Sequence, residues 1–138
     1  MSDLRPLEFH YPLAAIRVDG NMVQIILLPQ PVVELGEIKK LYKEVNDALG
    51  GKRVGVLLDT RQINLARYPE SVLRYAADNE HSHKEIAYAI VVDGIGHRLM
   101  ANFYLQLHRP KTRTSIFGRE EEAKEWLLNR IREDENKQ

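Results

Sequence analysis

The chain has 138 residues, and twenty basic side chains balance twenty acidic ones, so no overall field gathers polyanions and nucleic acid is a poor partner. Hydrophobic residues make up 43% and charged residues 29%, which suits a folded domain with its own core and excludes a disordered chain. The absence of cysteine rules out disulfides, thiolate metal sites and a cysteine nucleophile, and it fits a reducing compartment.

The start, Met1-Ser2-Asp3-Leu4-Arg5-Pro6, lacks the basic-then-apolar layout of a secretory signal, and no apolar run approaches bilayer length. A soluble, cytoplasmic protein without membrane insertion is expected, as one domain over residues 1–138 with an ordered core at about 13–132.

After a lead-in carrying Pro6 and Pro12, residues 13–18 and 22–28 flank Asp19-Gly20-Asn21. Asp-Gly between two strand-like runs predicts a hairpin, because both residues tolerate positive φ. Pro29-Gln30-Pro31 ends the second strand. Leu35, Ile38, Leu41, Tyr42, Val45 and Leu49 recur at helical spacing until Gly50-Gly51, which predicts an amphipathic helix with a glycine stop. Val54-Gly-Val-Leu-Leu-Asp59 reads as a buried central strand.

Pro69 opens a second helix to about residue 80, with Val72, Leu73, Ala76 and Ala77 on its apolar face. Residues 86–92 form the most strand-like run of the chain and close on Asp93-Gly94. Ile95, Leu99, Phe103 and Leu107, with Met100 and Tyr104, then predict a third helix ended by Arg109-Pro110. Residues 112–117 suit a polar edge strand. A last helix opens on Glu120-Glu121-Glu122 and carries Ala123, Trp126, Leu127, Arg130 and Ile131. The order ββαβαβαβα predicts an α/β fold: a mixed sheet with an N-terminal antiparallel hairpin, then helices alternating with parallel strands.

Parallel strands place their carboxyl ends on one rim, where the loops at Asp59-Thr60-Arg61, Asp93-Gly94 and Gly118-Arg119 should meet. Helix amino termini facing that rim suit an anion or a phosphorylated side chain. Asp59 and Asp93 also read as plain caps of loops and helix starts. Asp78, His81 and His83 offer metal-donor chemistry, but a zinc site needs a further convergent ligand, so no metal and no cofactor are expected. No nucleophile elbow, phosphate loop or H-E-x-x-H occurs. Ser71, Asp93 and His97 make no triad without geometry, and Gly94-Ile95-Gly96 is only half of a dinucleotide fingerprint. The large aromatics Phe103, Tyr104 and Trp126 sit at core spacing and are expected to pack against the sheet.

Two stretches carry a family resemblance. Val56-Leu57-Leu58-Asp59, followed by Ile63 and the helix near Pro69, resembles the central strand, acidic turn and regulatory helix of STAS domains, the fold of sulfate transporters and anti-sigma-factor antagonists. Asn102-Phe103-Tyr104-Leu105, Arg109-Pro110, Ile116-Phe117, Glu121-Glu122-Ala123 and Trp126-Leu127 resemble an uncharacterised bacterial, SpoIIAA-like branch of that fold. The resemblance implies a non-enzymatic regulatory module that binds a protein. The antagonists carry a phosphorylatable Ser or Thr at the regulatory helix start. Here Arg67-Tyr68-Pro69-Glu70 stands in its place, which leaves Ser71 and Thr60 as the hydroxyls at hand.

The resulting expectation is a partner-binding surface built from Asp59, Thr60, Arg61, Tyr68, Glu70, Ser71, Asp93 and Gly94. The alternative is a carrier of a small apolar ligand or lipid, with a pocket between the last two helices and the sheet lined by Leu99, Phe103, Leu107 and Trp126. A homodimer through a sheet edge or an amphipathic helix is also expected.

Overall fold

The structure, a computed structural model, describes residues 6–78 and 85–137. Within them a six-stranded sheet carries strands β1 (Leu7–His10), β2 (Ala14–Asp19), β3 (Met22–Leu27), β4 (Val54–Asp59), β5 (Glu85–Val91) and β6 (Thr114–Phe117) in sequential order. The helices are α1 (Leu35–Leu49), α2 (Glu70–Ala77), α3 (Gly94–His108) and α4 (Glu120–Asn136), with a 3-10 turn at Leu65–Arg67. The first two strand pairs are antiparallel, and β3 to β6 run parallel. The mixed α/β architecture thus stands as expected, with one strand added: β1 pairs along β2, Leu7 opposite Val18 and Phe9 opposite Ile16.

The hairpin turn sits one residue later than the Asp-Gly reading, because Asp19 pairs with Met22 and leaves Gly20-Asn21 as the two loop residues. Gly20 has φ +60 at the first loop position, where tight hairpins favour glycine.

Both faces of the sheet are covered, which is why β4 reads as a continuous apolar run. Val56 and Tyr88 pack with Ile16, Val23 and Leu41 on the face that α1 covers. Farther along that face, Ile90 and Val92 meet Ala101 of α3. The other face belongs to α4, where Ala123, Leu127 and Ile131 pack on Leu57, Ala87, Ala89 and Val91. Helices that connect successive parallel strands advancing in one direction land on one side of the sheet. α4 follows the last strand and is free to cover the other side.

This division overturns the expected pocket between the last two helices. α3 and α4 lie on opposite faces, and Leu99, Phe103 and Leu107 point to solvent at 64%, 60% and 60% exposure. Trp126 packs against Phe117 of β6 at a 51° tilt with ring centroids 5.6 Å apart, so it cannot join them. Packing against the sheet holds for Trp126 and for half-buried Tyr104, whereas Phe103 departs from it. The inward face of α3 is instead Ala101, Tyr104 and Leu105.

Candidate functional site

The carboxyl ends of β4, β5 and β6 share a rim, and hydrogen bonds tie their loops together. Thr60 N donates to Val91 O (3.0 Å), and Val92 N donates to Phe117 O (2.9 Å). On this rim Asp59 is only 4% exposed. Its carboxylate accepts from Arg61 N (3.0 Å), Nε (2.9 Å) and Nη2 (2.7 Å). The same guanidinium reaches Glu120 of α4 at 2.9 Å, and Glu120 also holds Lys124 at 2.9 Å.

Burial opposes ionisation of Asp59, but the hydrogen bonds and charge of Arg61 outweigh it and hold the carboxyl below its ordinary 3.8. The Asp59 carboxylate in turn raises the Arg61 pKa. Glu120 is lowered by Lys124 first and by Arg61 in addition. The outcome is a fixed cation: the Arg61 side chain is clamped by two carboxylates, yet remains 40% exposed.

Thr60 is buried beside this clamp at 1% exposure. Its Oγ1 donates to Val91 O (2.8 Å) and lies 3.1 Å from His97 Nε2. His97 Nδ1 accepts from the Asp93 backbone N–H at 3.1 Å, so the ring proton sits on Nε2 and is donated to Thr60. The histidine therefore supplies a proton to the hydroxyl rather than taking one. Thr60 is thus corrected as a candidate phosphorylation site: its oxygen is buried and its bonds are committed.

The remaining expected residues lie elsewhere along the rim. Tyr68 lines an open cleft of about 460 Å³ with Gln62, Ile63 and Asn64, facing Pro29 to Val33 of the connection after β3. Its ring packs among Leu13, Val33, Ile38 and Val72, and burial raises its pKa. Glu70 and Ser71 are exposed in the first turn of α2, where Glu70 pairs with Arg74. Among the described residues no hydrogen bond joins them to Asp59 or Arg61. Gly94 opens α3, and the Asp93 side chain makes no capping bond there. Asp78 caps the end of α2, while His81 and His83 lie outside the described residues.

Sequence reasoning missed Glu120 and the 29–33 segment as rim residues, and it weighed His97 beside Asp93 without its contact to Thr60. The acids opening α4 announced only a helix start, and Pro29-Gln30-Pro31 only a strand end. No local pattern brings residues 59 and 120 together.

An apolar cavity of about 130 Å³ lies behind the rim, between the sheet and α1, α2 and α3, with Leu41, Val56, Val72, Tyr88 and Tyr104 in its wall and with Thr60 and Tyr68 of the rim reaching it. Tyr88 is raised well above its ordinary value by burial first, with nearby Tyr42 and Glu85 adding to it. Burial pushes Tyr104 up to about 12, and its hydroxyl donates to Leu73 O at 3.3 Å.

The family model described as "Domain of unknown function (DUF7793)" matches residues 16–130. The chain belongs to the DUF7793 family. That span takes in the rim, the cavity wall and all of α3, so each is part of the DUF7793 domain itself. No curated protein matches this DUF7793 chain. Among solved structures it is similar to an uncharacterised protein of the DUF3478 family with a SpoIIAA-like fold, from Shewanella loihica PV-4. The identity is 12% and the TM-score 0.58, over 92% of this chain and 98% of that one. At that identity the likeness is one of fold, and the DUF7793 chain has a SpoIIAA-like fold. Among its described residues no helix is long and apolar enough to cross a membrane.

Proposed function

We propose that the chain is a non-enzymatic, STAS-like regulatory module. It binds a protein partner with the rim of Asp59 to Arg61, the Tyr68 to Ser71 helix start and Asp93-Gly94, and it works without the phosphoacceptor motif of the antagonists. The observation that carries this reading is the Arg61 clamp. A guanidinium held by Asp59 and Glu120 but 40% exposed loses little side-chain freedom on docking, and arginine is enriched among residues that dominate interfaces. The committed hydroxyl of Thr60 argues against a nucleophile at this rim. Ser71 is the exposed hydroxyl at the helix start, although a phosphate there would be repelled by Glu70 beside it.

The test compares proteins retained from native lysate by the wild-type chain with those retained by Arg61→Ala and Glu70→Ala, after circular dichroism has verified folding. Loss of one retained protein in both variants is expected. Unchanged retention sinks the surface assignment. Intact-mass analysis of native protein addresses Ser71 separately, and a persistent absence of added phosphate removes it.

The cavity favours a second reading, a carrier of a small apolar ligand. A dry cavity of about 150 Å³ accepts a benzene-sized molecule, so about 130 Å³ suits a ligand of that size and not an acyl chain. A small molecule retained in native mass spectrometry supports the carrier, and a clean mass removes it.

A further inference from the structure

Among the described residues, most of the exposed large hydrophobic side chains gather on the outward row of α3. Ile95 is 81% exposed, Leu99 64%, Phe103 60% and Leu107 60%, with Met100 beside them at 39%. The largest apolar patch on a monomer is roughly 300–600 Å² and a stable interface buries roughly 800 Å² per partner, so five large apolar side chains along one helix can supply a substantial part of one. The helix beneath it is well anchored, since Ala101 is fully buried and Tyr104 reaches α2. The row is therefore presented by a fixed scaffold.

From this geometry we infer that the chain forms a two-fold homodimer in which α3 packs antiparallel against α3 of a second copy. The row is symmetric about the middle of its helix: Ile95 and Leu107 stand equally far from residue 101, as do Leu99 and Phe103, and α3 runs from Gly94 to His108. In an antiparallel pair each end meets the other end of its copy, so Ile95 faces Leu107 and Leu99 faces Phe103. Residues at spacing four form the ridges that interlock when two helices cross at roughly −50°. The row itself carries no charge, and Arg98 is the single Lys, Arg, Asp or Glu in α3, off the row. Exposed Arg98 and Arg109 stand at the border of the row, and a second identical row, uncharged along its length, fits the charge-depleted centre and polar rim of an interface.

This inference stands apart from the rim, because Arg61→Ala is expected to leave the dimer intact. Sedimentation equilibrium of the full chain is expected to give twice 16.0 kDa. Phe103→Glu and, separately, Leu99→Gln, both at exposed positions, are expected to weaken the dimer at least about 30-fold while circular dichroism and melting stay as in the wild type. The cysteine-free sequence allows single labels: nitroxides at Asn102→Cys should couple within about 20 Å, given interaxial distances of 8–10 Å. Labels at Asn129→Cys, on the far face, should not. A monomer at every concentration overturns the inference, and so does a monomer that binds anionic phospholipid vesicles. A dimer that survives both substitutions or brings Asn129 labels together overturns it equally.

Discussion

A carboxylate as buried as Asp59 keeps its charge only because Arg61 answers it with three hydrogen bonds. The folded chain lowers the pKa of Asp59 below its ordinary 3.8, so the unfolded chain binds the proton more readily. The stability contributed by the ionised form is therefore present above that ordinary value and is lost as pH falls through the folded one. Asp59→Asn should cost about 1–3 kcal/mol at neutral pH. In denaturant titrations from pH 7 to pH 2.5 it should also lose less on acidification than the wild type. Equal acid sensitivity would mean that Arg61 does not hold the charge. Asp59 was readable because an acid closing an apolar strand marks a strand end at the rim. Glu120 and His97 were not readable as its neighbours. Their approach depends on how α4 and α3 pack onto opposite faces of the sheet, which no local spacing encodes.

At the scale of elements, α3 carries two helical patterns at once. Ile95, Leu99, Phe103 and Leu107 repeat at spacing four, and large apolar side chains make that row the stronger signal. The buried face, Ala101, Tyr104 and Leu105 with His97 and His108 at its borders, is smaller and more polar, and of it the spacing marks only Tyr104. Small residues let the helix lie close to the sheet, while the larger row stays exposed. In α4 the apolar spacing and the buried face coincide, since Ala123, Leu127 and Ile131 all face the core. Its closeness to β4 depends on Gly55, where an added Cβ would stand 2.9 Å from Leu127 Cγ and 3.0 Å from Ile131 Cδ1. Gly55→Ala should destabilise the fold by about 1–3 kcal/mol through this overpacking, measured as a lower denaturant midpoint with an unchanged slope. A midpoint equal to the wild type would show that α4 yields freely. The glycine was visible within the strand, but the helix that exploits it lies more than seventy positions later.

For the whole molecule, alternating helices and strands were enough to infer the mixed sheet, because each crossover needs one helix between parallel neighbours. β1 escaped notice: it spans four residues, Leu7–His10, between Pro6 and Pro12, and prolines at both ends resemble a lead-in. Which face each helix covers was likewise hidden. An apolar run such as β4 says that both faces are buried, not what buries them.

The strands stand side by side in the order in which they are synthesised, so no gap in the sheet has to be held open for a latecomer. Each new segment leaving the ribosome finds the edge it needs already laid down, and growth can proceed in one direction from the hairpin at residues 14–27. Pulse-labelled amide exchange during refolding should therefore protect that hairpin first and Thr114–Phe117 last; protection arriving everywhere together would contradict such vectorial growth.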